Sequence, residues 1–231
     1  GFGDDTYRFD LDVPLGADNI FEGSGGGADT LDFSASSAGV TATLASAGVV
    51  STANLTLIIA GHEEIENLLG GSGHDTLTGN SANNVLEGGA GDDTLSGGLG
   101  NDTYRFHIDH SLGSDTVNEA TGGGTDTLDF SQSSAAVAAN LGNATVVSTA
   151  NLTLILGLDG EVENLVGGSG NDIFTGNSLN NTLTGGLGDD TYRFDIDSLL
   201  GSDSVVEAAG GGSDTLDFSA SSAGVTATLG N

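Results

Sequence analysis

Five aspartates, Asp75, Asp93, Asp102, Asp172 and Asp190, each occupy the sixth place of a nine-residue unit, and Asp5 closes a truncated one. Read from Gly70, the units are GGSGHDTLT, GNSANNVLE, GGAGDDTLS and GGLGNDTYR; from Gly167 they are GGSGNDIFT, GNSLNNTLT and GGLGDDTYR. Carboxylates at a fixed period, among glycines whose carbonyls no side chain covers, form the oxygen donor set of a hard divalent cation such as Ca2+. Left without cations, stacked carboxylates repel and disfavour one another's ionisation. Degenerate echoes of the unit place Asp29, Asp126 and Asp214 in similar glycine-rich turns, and Asp18, Asp115 and Asp203 in weaker ones.

Other chemistries fare worse. His107 and His110 flank Asp109 in a zinc-like spacing, but Asp195 and Ser198 replace them in the next copy. They read as surface histidines, as do His62 and His74. Glu63, Glu64 and Glu66, with counterparts Glu161 and Glu163, read as a solvated face or further cation ligands rather than an acid/base pair. No G-x-S-x-G elbow, P-loop or dinucleotide fingerprint is present. No catalytic residue is assigned, and the chain is read as a non-enzyme.

The elements that carry the aspartates are dictated by the unit itself. Its glycine half must turn, and its last three residues, as in Thr76-Leu77-Thr78 or Thr191-Tyr192-Arg193, alternate as a short strand with the middle residue inward. Turn, strand, turn, strand makes one flattened coil of 18 residues, two units. Stacked coils form two parallel sheets around a thin apolar seam. Asp75 then lies over Asp93, Asn84 near Asp102, and Asp172 over Asp190. Such a seam buries little apolar area, so cation binding is expected to be coupled to folding.

A longer repeat encloses the short one. Asp29 to Ser34 returns at Asp126 and Asp214, offsets of 97 and 88, and Val49 to Ile58 returns letter for letter at Val146. The two offsets differ by nine, so the second block has lost one whole unit, an indel that a stacked array tolerates. The chain divides into the end of a truncated block (1–8), an intervening segment (9–69), four nonapeptides (70–105), a second intervening segment (106–166), three nonapeptides (167–193) and the start of a third intervening segment (194–231). The intervening segments are expected to continue the solenoid as longer β-coils; a separate small β-domain between rolls is the alternative. Both chain ends fall mid-repeat, which points to a piece of a longer repetitive protein.

Composition limits the partners. Thirty-three acidic residues face three arginines and no lysine, a net charge of −30. Nucleic acid and anionic lipid surfaces are poor partners for such a chain. The longest apolar run, near Leu55 to Ala60, is a strand length and far short of a membrane-spanning helix. Cysteine is absent, which removes disulfides and thiolate sites. A hydrophobic content of 36% in short β-type runs, with one proline, argues for a folded chain. Arg8, Arg105 and Arg193 recur in Asp-Thr-Tyr-Arg-Phe and are expected to pair with carboxylates of the next coil.

The nonapeptides resemble the RTX, or hemolysin-type, calcium-binding repeat. The resemblance implies an all-β fold, a right-handed parallel β-roll or β-solenoid, with several Ca2+ ions in its turns. It also implies type I secretion and folding outside the cell. By position, the family's metal aspartate falls on Asp5, Asp75, Asp93, Asp102, Asp172 and Asp190, and by extension on Asp29, Asp126 and Asp214. Asn84 and Asn181 depart from the pattern, as do Asn80 and Asn177, and those turns should bind weakly or not at all. The expected role is a calcium-binding region of a secreted or cell-surface bacterial adhesin, surface layer or matrix fibre, able to stack end to end. The alternative is a secretion and folding module of a toxin or hydrolase whose active domain lies elsewhere. Calcium-mediated glycan binding has no specific sign in the sequence.

Overall fold

The computed structural model describes residues 2–22, 27–44, 48–51, 54–60, 65–157 and 161–228. Among these the chain forms strands and turns and no helix. The first part runs β1 (Thr6–Arg8), β2 (Gly16–Phe21), β3 (Thr30–Asp32), β4 (Thr41–Thr43), β5 (Gly48–Ser51), β6 (Leu55–Ala60) and β7 (Asn67–Leu69). The first block and the coil after it give β8 (Thr76–Thr78), β9 (Val85–Glu87), β10 (Thr94–Ser96), β11 (Thr103–Arg105), β12 (Gly113–Val117) and β13 (Thr127–Asp129). Then come β14 (Ala138–Asn140), β15 (Thr145–Ser148), β16 (Leu152–Leu156) and β17 (Asn164–Val166). The chain finishes with β18 (Ile173–Thr175), β19 (Thr182–Thr184), β20 (Thr191–Arg193), β21 (Ser204–Val206) and β22 (Thr215–Asp217).

These strands make two sheets. The first has nine strands in the order β1-β3-β7-β9-β11-β13-β17-β19-β21, every pair parallel. The second has thirteen, in the order β2-β6-β5-β4-β8-β10-β12-β16-β15-β14-β18-β20-β22. The chain crosses from one sheet to the other at every nonapeptide turn, so one coil contributes a strand to each. Within the blocks the register advances 18 residues per coil: Thr76 pairs with Thr94, Val85 with Thr103, and Ile173 with Thr191. One nonapeptide is therefore half a coil.

The intervening segments continue both sheets with longer coils. Thr103 pairs with Thr127 and Thr127 with Asn164, advances of 24 and 37 residues. The extra length of the 37-residue coils goes into antiparallel meanders, β4-β5-β6 and β14-β15-β16. Each meander lies in the second sheet in reverse order. β6 pairs with β2 of the coil before, and β4 with β8 of the coil after.

The seam is a column of inward middle residues. Leu31, Leu68, Leu86, Tyr104, Leu128, Leu165 and Leu183 succeed one another in register across the first sheet, all fully buried. Leu77, Leu95 and Val117 do the same across the second. Phenylalanines just beyond the strands stack in pairs, Phe9 on Phe33, Phe106 on Phe130 and Phe194 on Phe218, with ring centroids 5.5–5.7 Å apart. Each position gains a neighbour above and below, which is how short strands bury enough apolar area to persist.

Candidate metal centres

The turns line the two long edges of the solenoid, and both edges carry a ladder of carboxylates. On the edge where the chain passes from the first sheet to the second, the Val40 N–H donates to Asp75 Oδ1, Asp75 N–H to Asp93 Oδ1 and Asp93 N–H to Asp115 Oδ1, at 2.8, 2.8 and 3.0 Å. The pattern returns from Val137 through Asp172 and Asp190 to Asp214. On the opposite edge Asp5 donates to Asp29, Asp29 to Glu66, Asn84 to Asp102, Asp102 to Asp126, Asp126 to Glu163 and Asn181 to Asp203. Each acid is thus held by the amide of its counterpart one coil away. Asp115, Asp203, Glu66 and Glu163 belong to these ladders too, though the sequence marks them only faintly.

The nonapeptide turns come in two forms. In the turns at 70–75 and 167–172, the position-two N–H of Gly71 or Gly168 caps Oδ2 of Asp75 or Asp172, at 2.7 and 3.1 Å. In the asparagine turns, Asn80 and Asn177 N–H cap Asn84 and Asn181 Oδ1 in the same way, both at 2.8 Å. The turns at 88–93, 97–102 and 185–190 are open. There the position-two residues Gly89, Gly98 and Gly186 have φ of +95°, +108° and +99°, a left-handed backbone that other residues adopt only under strain. In all three, Oδ2 of Asp93, Asp102 or Asp190 is buried with no hydrogen-bond partner, and Asp29 Oδ2 shares that condition. An orphaned buried acceptor costs about 1–3 kcal/mol, more when charged. A cation with oxygen preference removes that cost, so the open turns fit Ca2+ by their donor chemistry.

The asparagine turns use amide chemistry instead. Asn84 Nδ2 donates to the Glu66 carbonyl at 2.9 Å, and Asn181 Nδ2 to the Glu163 carbonyl at 3.0 Å. These N–H groups take up the oxygens a cation would otherwise collect. Position three distinguishes the two forms in sequence: Ser72, Ser81, Ser169 and Ser178 stand in capped turns, and Ala90, Leu99 and Leu187 in open ones.

Three tighter groups stand out. Asp5, Glu22 and Asp29 bring one oxygen each to within 4.8 Å of one another, as do Asp102, Glu119 and Asp126, and Asp190, Glu207 and Asp214. The glutamates are the site residues that sequence reasoning missed. Their signal is a constant spacing: in every copy the glutamate lies 17 residues, and the second aspartate 24, after the position-six aspartate. In each group a tyrosine hydroxyl donates to the glutamate, Tyr7 to Glu22, Tyr104 to Glu119 and Tyr192 to Glu207.

Burial sets the electrostatics. Desolvation pushes Asp93 and Asp115 up to about 7, Asp102 and Asp172 to about 6, and Glu119 to about 8. The Glu22 hydrogen bond, and after it burial, raises Tyr7 to about 12. Outside the ladders, Arg8, Arg105 and Arg193 pair with Asp32, Asp129 and Asp217 of the next coil. His74 Nδ1 accepts the Asp92 N–H, and His107 lies against His110 and Asp109. Among the described residues, the clusters of three possible metal ligands contain aspartate and glutamate and no histidine. His62, Glu63 and Glu64 lie outside those residues.

No curated protein matches the chain. Residues 69–104 and 159–204 match the family model of the RTX calcium-binding nonapeptide repeat, in four copies. Those segments contain both sets of stacked turns, including the open turns of Asp93, Asp102 and Asp190. The nonapeptide blocks of this chain thus match the RTX calcium-binding repeat and are built into an all-β solenoid of mostly parallel strands.

Proposed function

We propose that the chain is a calcium-responsive structural region of a secreted or cell-surface protein, without catalytic machinery of its own, that completes its folding on meeting extracellular calcium. The observation that carries this reading is the set of buried, unpartnered Oδ2 atoms of Asp93, Asp102 and Asp190, each in an open turn. Without a cation those oxygens and a net charge of −30 oppose the fold; with one they become its cross-links between coils. Type I export belongs to the same reading, since a chain unable to close its turns at low calcium stays unfolded for passage. The role as an adhesin, surface layer or matrix fibre rests on the near-identical long repeats, which suit a spacer that extends by adding coils end to end.

Circular dichroism during a calcium titration tests it. The chelated chain should show little ordered β signal and gain it cooperatively near about millimolar calcium, the range of extracellular modules. A chelated chain with the full β signal and an unchanged thermal midpoint overturns the reading.

A further inference from the structure

We propose that the three Asp–Glu–Asp groups are calcium sites of a second kind, in which a glutamate from outside the nonapeptide joins two aspartates of the ladder, each closing the junction between a nonapeptide block and the first long coil after it. This rests on the calcium reading above and adds to it a ligand that the nonapeptide does not contain. The central group is the best enclosed: Asp102, Glu119 and Asp126 are 1%, 8% and 1% exposed. An acidic cluster alone would be no site, since carboxylates crowd in any strongly acidic chain. Here the buried Oδ2 of Asp102 has no hydrogen-bond partner, and the same holds for Asp29 in the first group and Asp190 in the third.

The surroundings add neutral oxygens. A Cβ placed on Gly123 would lie 2.9 Å from the Gly98 carbonyl oxygen, 3.0 Å from that of Ala120 and 3.3 Å from Glu119 Oε2. Gly211 repeats this against Gly186, Ala208 and Glu207 Oε2, at 2.9, 3.1 and 3.3 Å. Glycine thus leaves a small space that three oxygens border, in two separate copies. Two aspartates, one glutamate and bordering carbonyls make a hard-cation donor set with three formal negative charges, more than a pair of ladder aspartates supplies. The tyrosine hydroxyl, itself accepting the Gly97 N–H at 2.6 Å in the central group, fixes the glutamate toward its partners.

The location gives the site its task. The position-six aspartate ends the last nonapeptide turn, and the second aspartate sits one coil on, across a 24-residue advance. A cation there joins a short coil to a long one where the period changes and the 18-residue ladder can no longer supply the next ligand.

The tyrosines provide the test. The chain has three, one per group, and no tryptophan. Terbium, a hard trivalent ion close to calcium in size, emits when an adjacent tyrosine is excited. Tyrosine-excited terbium emission from the full chain should therefore report these groups. Glu119→Gln should remove roughly one third of it, one site in three. A combined E22Q, E119Q and E207Q chain should lose it, while calcium still drives the β transition, at a higher concentration. Undiminished emission in the combined variant overturns the proposal and leaves the ladder reading intact. Absence of any calcium-driven transition in the unaltered chain is failure of the broader reading instead. Should the combined variant not fold in calcium, the single E119Q chain decides, because its ladders and two other groups are untouched; undiminished emission there is equally adverse.

Discussion

The block at 70–105 and the block at 167–193 share their first two turns and their last almost residue for residue, and the second lacks the unit corresponding to GGAGDDTLS. The omission changes what lies where. Tyr104, after the last turn of the first block, is in β11 of the nine-strand sheet; Tyr192, its counterpart, is in β20 of the thirteen-strand sheet. Asp102, Glu119 and Asp126 therefore occupy one edge of the solenoid, and Asp190, Glu207 and Asp214 the other. The tyrosine–glutamate and aspartate–aspartate hydrogen bonds inside the two groups are nevertheless the same. Half a coil is the unit of construction, and the parity of the unit count decides which edge a later feature faces. Inter-coil bonding is indifferent to that choice, because both edges are made of the same turn.

The most severe way to break this equivalence is a deletion that is not a whole unit. Removing residues 88–96 should leave a chain that still folds cooperatively in calcium, with every later element moved to the opposite sheet. Removing 88–91 alone should abolish the transition seen by circular dichroism. Equal behaviour of the two deletions would sink the half-coil account.

Glycine substitutions sharpen it. Gly91 and Gly188 stand at position four of open turns with φ of +128° and +114°, and a Cβ on either would collide with a carbonyl oxygen, Gly73 or Gly170, one coil away. Each change to alanine should cost about 2–4 kcal/mol in urea melts with calcium, from left-handed strain and overpacking together. Gly122→Ala, with φ of +73° and open space around it, should cost only about 1 kcal/mol. Gly100→Ala, at position four of the open turn on the opposite edge, with φ of +108° and a Cβ 2.4 Å from the Ala82 carbonyl oxygen, should cost as much, and a large difference from the Gly91 and Gly188 variants would show that the edges are not alike.

Acidity should separate the blocks more gently. A carboxyl whose folded pKa is raised holds its proton in the fold after the unfolded chain has released it. The metal-free fold is then favoured below about pH 4 and loses that advantage as pH climbs to the folded pKa. For Asp93, Asp115 and Glu119 the climb ends at about 7, 7 and 8; for Asp172 it ends at about 6. In chelator, β signal should therefore grow on acidification from pH 8 to 4, and amide exchange should slow around the first block at higher pH than around the second. Uniform loss of β signal on acidification would contradict this. The smallest effect is expected at the arginines. Arg105→Ala and Arg193→Ala should each cost about 0–1 kcal/mol, as ion pairs near the surface do, with the more enclosed Arg105–Asp129 pair at the upper end.

Much of the fold was legible in the residues alone. The nonapeptide fixes turn, strand and inward residue locally, and its period fixes the 18-residue register of Asp75 over Asp93 and Asp172 over Asp190. The arginine pairs form because the chain has no other strong cation to offer its carboxylates. Glu119 was marked only by its constant 17-residue distance from the position-six aspartate, because its place beside Asp102 depends on how a 24-residue coil packs, not on the nine-residue period. The meanders were legible as strands but not in their order. β14, β15 and β16 fold back through turns at Asn140 to Asn143 and Thr149 to Leu152, where Thr149 Oγ1 accepts the Asn151 and Leu152 N–H groups. Those turns set an antiparallel return, and which neighbour each strand meets is settled only when the coils on either side are in place. The capped and open turns differ by one serine, too small a contrast to interpret without the backbone.

The meanders carry a mechanical consequence. Each lays three strands in one sheet where regular alternation would lay one, so the two sheets have thirteen and nine strands over the same run of coils. At about 4.8 Å per strand, every meander adds about 10 Å to one face alone. Two bonded layers of unequal length behave like a bimetallic strip: strain is relieved by bending toward the shorter. Four nonapeptides, an even number, separate the two meanders, and both lie in the thirteen-strand sheet. A nine-residue insertion or deletion thus changes which sheet a later meander lengthens while leaving every coil-to-coil bond as it was.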